Sequence, residues 1–175
     1  MKENLGIWQF GGFVFTSLFG TVLHFLYDWT NQSGFIAPFS AVNESTWEHM
    51  KLLYFPLLIF AIFQSFFFKE WENFLCIKLK GMLTGLIAIP TIFYTYNGVF
   101  GKSPDWINIT IFFVSAALTF ITETKKFNKG SKRCNKALCL GVILFIGILF
   151  ILFTYLTPKI PIFADPLTAQ YGIKK

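Results

Sequence analysis

The chain has 175 residues, of which 54% are hydrophobic and 14% charged, with a formal net charge of +6. That length fits one domain, and so much apolar residue for so little charge excludes an ordinary soluble globule. The positive charge does not make a nucleic-acid surface either, because it is concentrated in alternate connections between apolar stretches.

Five segments are long and apolar enough to cross a hydrocarbon layer about 30 Å thick, which takes roughly 20 helical residues. They are 5–27, 47–68, 79–97, 106–121 and 137–157, the fourth being the shortest. The fold expected is all-α: a single transmembrane domain of five helices in the cell membrane, followed by an outer tail, 158–175.

The first segment reads as a permanent anchor. Its apolar run is longer than a signal-peptide h-region, and no small-x-small cleavage site follows it. Within it Gly12, Thr16, Gly20, His24 and Asp28 recur every four residues and so share one helix face. Small residues at this interval admit a neighbouring helix, so the face is expected to point into the bundle and to carry His24 with it.

The connection 29–42 begins polar and then contains Gly34, Pro38 and a short apolar run. Three readings stand for it: a segment lying in the membrane interface, a lid folded back on the protein, or a surface loop. Next comes the polar cluster Asn43-Glu44-Ser45-Thr46-Trp47-Glu48-His49, which opens the second apolar segment. Ser45 and Glu48 match a capping box. Capping leaves Glu44, His49 and Lys51 unexplained.

His24 and His49 are the only histidines in the chain, and ionisable groups at membrane depth are costly. Glu44 and Glu48 share a face with His49 beside them, and His24 with Asp28 falls at the same level on the adjacent helix. These residues supply enough ligands for one zinc-like divalent metal: His24, His49 and one of Asp28, Glu44 or Glu48. Glu48 or Glu44 is the candidate general base, with Asp28 as ligand or orienter of His24. A metal-free hydrogen-bonded network holding an outer gate is the competing reading.

Farther along, Pro56 and Pro90 interrupt the second and third segments and are expected to kink them. Gly81 and Gly85 make a second close-packing pair. Ten of the 15 basic residues, Lys2, Lys69, Lys78, Lys80 and six within 124–136, fall in alternate connections. The positive-inside rule makes those connections cytoplasmic, placing the N-terminus inside and, after five crossings, the C-terminus outside. Cys76, Cys134 and Cys139 then lie toward the cytoplasm and show no zinc-motif spacing, so reduced thiols are expected rather than a structural disulfide. The 24 phenylalanines are spread through all five segments as packing and lipid-facing residues would be, and Trp8, Trp29, Trp47, Trp71 and Trp106 fall near segment ends. The tail carries Pro158, Pro161 and Pro166 among apolar and polar residues; it either folds over the outer face or is a loose terminus.

The stretch Asn43 through His49 has a local similarity to the Asn-Glu and Trp-Thr-His element of the adiponectin-receptor and hemolysin III group, seven-helix membrane proteins with a zinc-hydrolase site. The spacing from Glu44 to His49 is shorter than in that pattern, and the further histidine ligands of that group are missing. Across its length the chain more closely resembles a family of small uncharacterised bacterial multi-pass membrane proteins with an Asn-Glu-Ser-x-Trp-Glu-His-x-Lys segment, matched here by Asn43 through Lys51. That resemblance implies a membrane protein and no activity.

The leading functional expectation is an outward-facing His/carboxylate site that binds a divalent metal and acts as a hydrolase or transferase on a small-molecule or lipid substrate. The alternatives are a protein that binds or transports a small cationic solute, and an accessory or structural membrane subunit. The bilayer is the one partner composition implies.

Overall fold

The computed structural model describes residues 4–68, 73–129 and 134–173. Because lipid offers no hydrogen bonds, an apolar chain satisfies its backbone internally as helix, and the described residues form five: α1 (Leu5–Trp29), α2 (Thr46–Ser65), α3 (Phe74–Phe100), α4 (Asp105–Lys129) and α5 (Lys136–Tyr155). A 3-10 turn, Pro161–Phe163, follows.

Four of the helices, α1, α3, α4 and α5, are long and apolar enough to cross a membrane. The exception is α2, which carries Glu48, His49 and Lys51 in its first two turns yet lies at the centre of the bundle. Twelve of its twenty residues are buried, against four of twenty in α5. The helices around it turn large apolar side chains outward, among them Ile7, Phe10, Ile87, Ile109 and Phe145, as a lipid-facing surface does.

Three sequence expectations change. The fourth helix is not short: it runs 25 residues to Lys129, because Phe127 beyond the apolar stretch packs on Phe68 and Phe74 and extends the helix past the hydrophobic run. The third begins five residues before the expected start, at Phe74, and takes Lys78 into the bundle. Lys78 is therefore a fully buried residue and not part of an inner loop. Lys2, Lys69, Trp71, Lys132 and Arg133 lie outside the described residues. Trp47, near the start of α2, packs among Phe150, Phe153 and Phe163. Trp29 and Trp106 are exposed.

Close approach explains the small residues. A methyl group at Gly12 would stand 2.5 Å from both Phe60 and Phe120, and one at Gly20 would meet Phe112 and the Leu52 carbonyl. So the α1 stripe, with Thr16 buried between the two glycines, is where α1 meets α2 and α4. Pro56 sits one turn after Leu52 inside a continuous α2 and has no N–H to offer that carbonyl; the bare face of Gly20 lies against it. Gly81 and Gly85 seat α3 on Glu123, Thr119 and Ser115 of α4.

The α3–α4 seam holds a buried ion pair. Lys78 Nζ donates to Glu123 Oε2 at 2.6 Å and to Gln64 Oε1 of α2 at 3.1 Å, with the faces of Phe60 and Phe120 each 5.5 Å away. Both members of the pair are 0% exposed. Removing one charge of such a pair strands the other in a medium of low dielectric, which typically costs about 3–5 kcal/mol, whereas replacing both by apolar residues of similar volume is near neutral. Glu123→Ala is accordingly expected to lower the melting temperature in detergent sharply, and Lys78→Met/Glu123→Leu to recover most of the loss. Equal losses in the two variants would contradict a paired role.

Candidate functional site at one end of the bundle

After α1 the chain reverses through Asn31 and Gln32, both in the left-handed region (φ 53° and 58°). Residues 33–45 then return over the end of the bundle. Ser40 is fully buried; its hydroxyl donates to the Leu23 carbonyl of α1 and accepts from the Tyr27 N–H at 2.9 Å. Ala37, Ala41, Val42 and Asn43 are buried too. The segment therefore packs as a cover and is not a surface loop.

A second buried ion pair fixes that cover. Lys51 Nζ lies 2.6 Å from Glu48 Oε2 and donates to the Ala37 carbonyl and to Thr154 Oγ1 of α5, both at 2.9 Å. Glu48 Oε2 also accepts the Val42 N–H at 3.0 Å. Two groups on one face of α2 thus hold the cover at two backbone positions and α5 at a third. The capping box is partly present: Ser45 Oγ accepts from the Glu48 N–H, while the Glu48 carboxylate reaches back past Ser45 to the Val42 N–H.

The tail closes from the other side. Phe163 packs on Trp47 and Phe153. Ala164 and Tyr171 form an antiparallel bridge around a turn in which Asp165 accepts from the Leu167 N–H at 2.7 Å. The Gly172 carbonyl accepts from Asn43 Nδ2 at 2.9 Å. The described part of the tail is folded back onto this end of the bundle, not loose.

These contacts set Glu44 between the two histidines. His24 comes from the end of α1, Glu44 from the last residues of the cover and His49 from the first turn of α2. His24 Nε2 and His49 Nε2 each lie 3.6 Å from Glu44 Oε2, and one ligand atom from each residue falls within 4.8 Å of the others. The rings stand 5.6 Å apart, centroid to centroid. His49 Nδ1 is 3.0 Å from the Ser45 carbonyl, a contact that places the proton on Nδ1 and leaves the Nε2 lone pair toward Glu44.

The remaining candidates sit elsewhere. Asp28 is one turn beyond His24 but exposed and outside the three-residue group. Glu48 is 3% exposed and committed to Lys51 and Val42. The structure gives it a structural partner where sequence spacing offered it as ligand or base.

Beside the cluster is a cavity of about 490 Å³, walled by Gly20, Leu52, Phe93, Phe112 and Phe113, with His24, Glu44 and His49 in its lining. Its far side is polar: Asn97 Oδ1 accepts from the Ser103 N–H at 2.8 Å, and Ser103 Oγ donates to Asn108 Oδ1 at 2.7 Å. Lys102 and Asp105 also line it, and Pro166 and Leu167 of the tail contribute. Ser103, Asn108, Pro166 and Leu167 gave no signal in the sequence, because only the packing of α3, α4 and the tail brings them to this cavity.

The described residues thus form an all-helical protein, four of whose helices are long and apolar enough to cross a membrane, with a His/carboxylate group beside a cavity at one end. Residues 1–173 match the model of a family described as "Family of unknown function (DUF6512)", and the chain belongs to that family. No curated protein and no solved structure matches it.

If the Lys51 contacts position the cover, Lys51→Met should leave helix content intact but speed amide exchange across residues 37–43 by roughly tenfold or more, the factor matching loss of about 1.4 kcal/mol of local stability. Exchange unchanged in that segment would show that the cover is held by its apolar contacts alone.

Proposed function

We propose that this chain is a five-span protein of the cell membrane whose outward-facing site, His24, Glu44 and His49, binds one divalent metal ion of the zinc class and uses it for hydrolysis or group transfer. In this reading α2 completes the crossings despite its polar start, because the surrounding helices and the cover shield Glu48 and Lys51 from lipid. The basic connections face the cytoplasm, and the cover and tail face outside.

The observation that carries the metal reading is the pair of 3.6 Å separations from Glu44 Oε2 to the two imidazole nitrogens. Hydrogen bonds between such groups close to about 2.7–3.2 Å. Ligand atoms on a tetrahedral zinc, each about 2.0–2.1 Å from the metal, stand roughly 3.4 Å apart. The spacing is nearer to shared coordination than to a direct hydrogen bond. Two histidines and one carboxylate also leave a fourth position for water, which zinc acidifies toward neutral pH.

In this reading Glu44 acts as ligand, in place of the general-base role, and Glu48 acts by holding the cover. A base is then needed outside the ligand set. Asp165 is the candidate: it is 1% exposed, its Oδ2 has no hydrogen-bond partner among the described residues, and its charge acts on His49. The apolar cavity walls favour a substrate with an apolar body, and the Asn97–Ser103–Asn108 network with Lys102 supplies donors for a polar end. A small cationic solute has less support, since Lys102 and the apolar side chains of Leu52, Phe93, Phe112 and Phe113 share the same lining.

Elemental analysis of protein purified without chelator tests the metal. About one equivalent attributable to this site is expected, lost on His49→Ala and on Glu44→Gln and retained on Asp28→Asn. Metal content unchanged by both His49→Ala and Glu44→Gln would sink the reading.

A further inference from the structure

At the opposite end of the bundle three cysteines meet. Cys76 lies in the first turn of α3 and is 1% exposed; Cys134 lies just before Asn135, the N-cap of α5, and Cys139 is in the first turn of that helix. The expectation of three separate thiols is therefore corrected: Cys76 and Cys134 are joined as a disulfide, and Cys139 Sγ lies 2.7 Å from Cys76 Sγ. A gap of 2.7 Å is too long for a second sulfur–sulfur bond. It is also well inside the roughly 3.5–4.0 Å at which even carbon atoms rest in contact. One sulfur from each of three residues falls within 4.8 Å of the others, a convergence that apolar packing alone does not require.

We propose that in the reduced protein Cys76, Cys134 and Cys139 form a three-thiolate zinc site at the inner end of the bundle, clipping α3 to the start of α5. This goes beyond the histidine site and takes from the preceding section only the orientation that places this end in the cytoplasm, where disulfides are rare. Opening the Cys76–Cys134 bond takes two electrons and two protons from a cellular thiol reductant of the glutathione class, which leaves as its own disulfide. Zinc then displaces the protons of the three thiols.

Sulfurs sharing one zinc at about 2.3 Å stand roughly 3.8 Å apart, so the opened pair spreads and Cys139 withdraws slightly from Cys76. Cys134 is outside the helix and only partly buried, which leaves it room to move. The thiolates suit this place. Two of them flank the N-terminus of α5, where the helix dipole and free amides favour negative charge, and Lys136 opens that helix. The fourth position is left to water or an exogenous ligand.

The test uses the full chain, purified under reducing conditions, loaded with zinc and dialysed. Wild type is expected to hold this equivalent in addition to the one at the histidines. Cys139→Ser and Cys134→Ser should each lose it, whereas His49→Ala keeps it and loses only the other. Cobalt in place of zinc should give thiolate-to-metal charge-transfer absorption that disappears in Cys139→Ser. Zinc content identical in wild type, Cys134→Ser and Cys139→Ser would overturn the proposal. So would alkylation of intact cells that finds a single free thiol per chain, since a bond persisting in the cell leaves no three-thiolate set.

Discussion

The pairing of the Lys51 ammonium, buried completely beneath residues 33–45, is the interaction on which the histidine end of this protein depends. A lysine in such surroundings is sustained only when its charge and all three donors are satisfied. Glu48, the Ala37 carbonyl and Thr154 supply those partners, from α2 itself, from the cover and from α5. Satisfying one cation therefore fixes three pieces of chain together. Glu44 lies four residues before Glu48, between the held Val42 and the capped start of α2. Its backbone is therefore held where its carboxylate stands beside His24 and His49.

The second buried pair, Lys78 with Glu123, makes a different use of the same physics. It joins α3 to α4 deep in the bundle, with Gln64 of α2 as a third partner. Seen from any one helix, each of these charges is a defect in a membrane-like segment. Across the seams they specify which helices are neighbours and at what height, which a uniformly apolar surface of Phe, Leu and Ile does weakly.

Much of this was legible in the chain. The number of helices, the close-packing stripe Gly12–Thr16–Gly20 and the convergence of the two histidines followed from hydropathy and a four-residue period. What sequence could not separate was the duty of neighbouring carboxylates. Glu44 and Glu48 have the same spacing logic, yet one faces the histidines and the other turns to Lys51, because the choice is made by Ala37, Val42 and Thr154, which are distant in sequence. Helix ends were misjudged where burial and hydropathy part company, as at Phe127 and Lys78. The cysteines were unreadable for a simpler reason: Cys76 is 58 residues from Cys134, and no local motif encodes a contact made by two helix starts.

Crystals grown with zinc, measured above and below its absorption edge, test the central claim most directly. The account predicts an anomalous peak within about 2.0–2.2 Å of His24 Nε2, His49 Nε2 and a Glu44 oxygen, with the Glu48–Lys51 pair intact beneath it. A difference map with no peak there, and with both imidazoles hydrogen-bonded to Glu44 or to water, would contradict it.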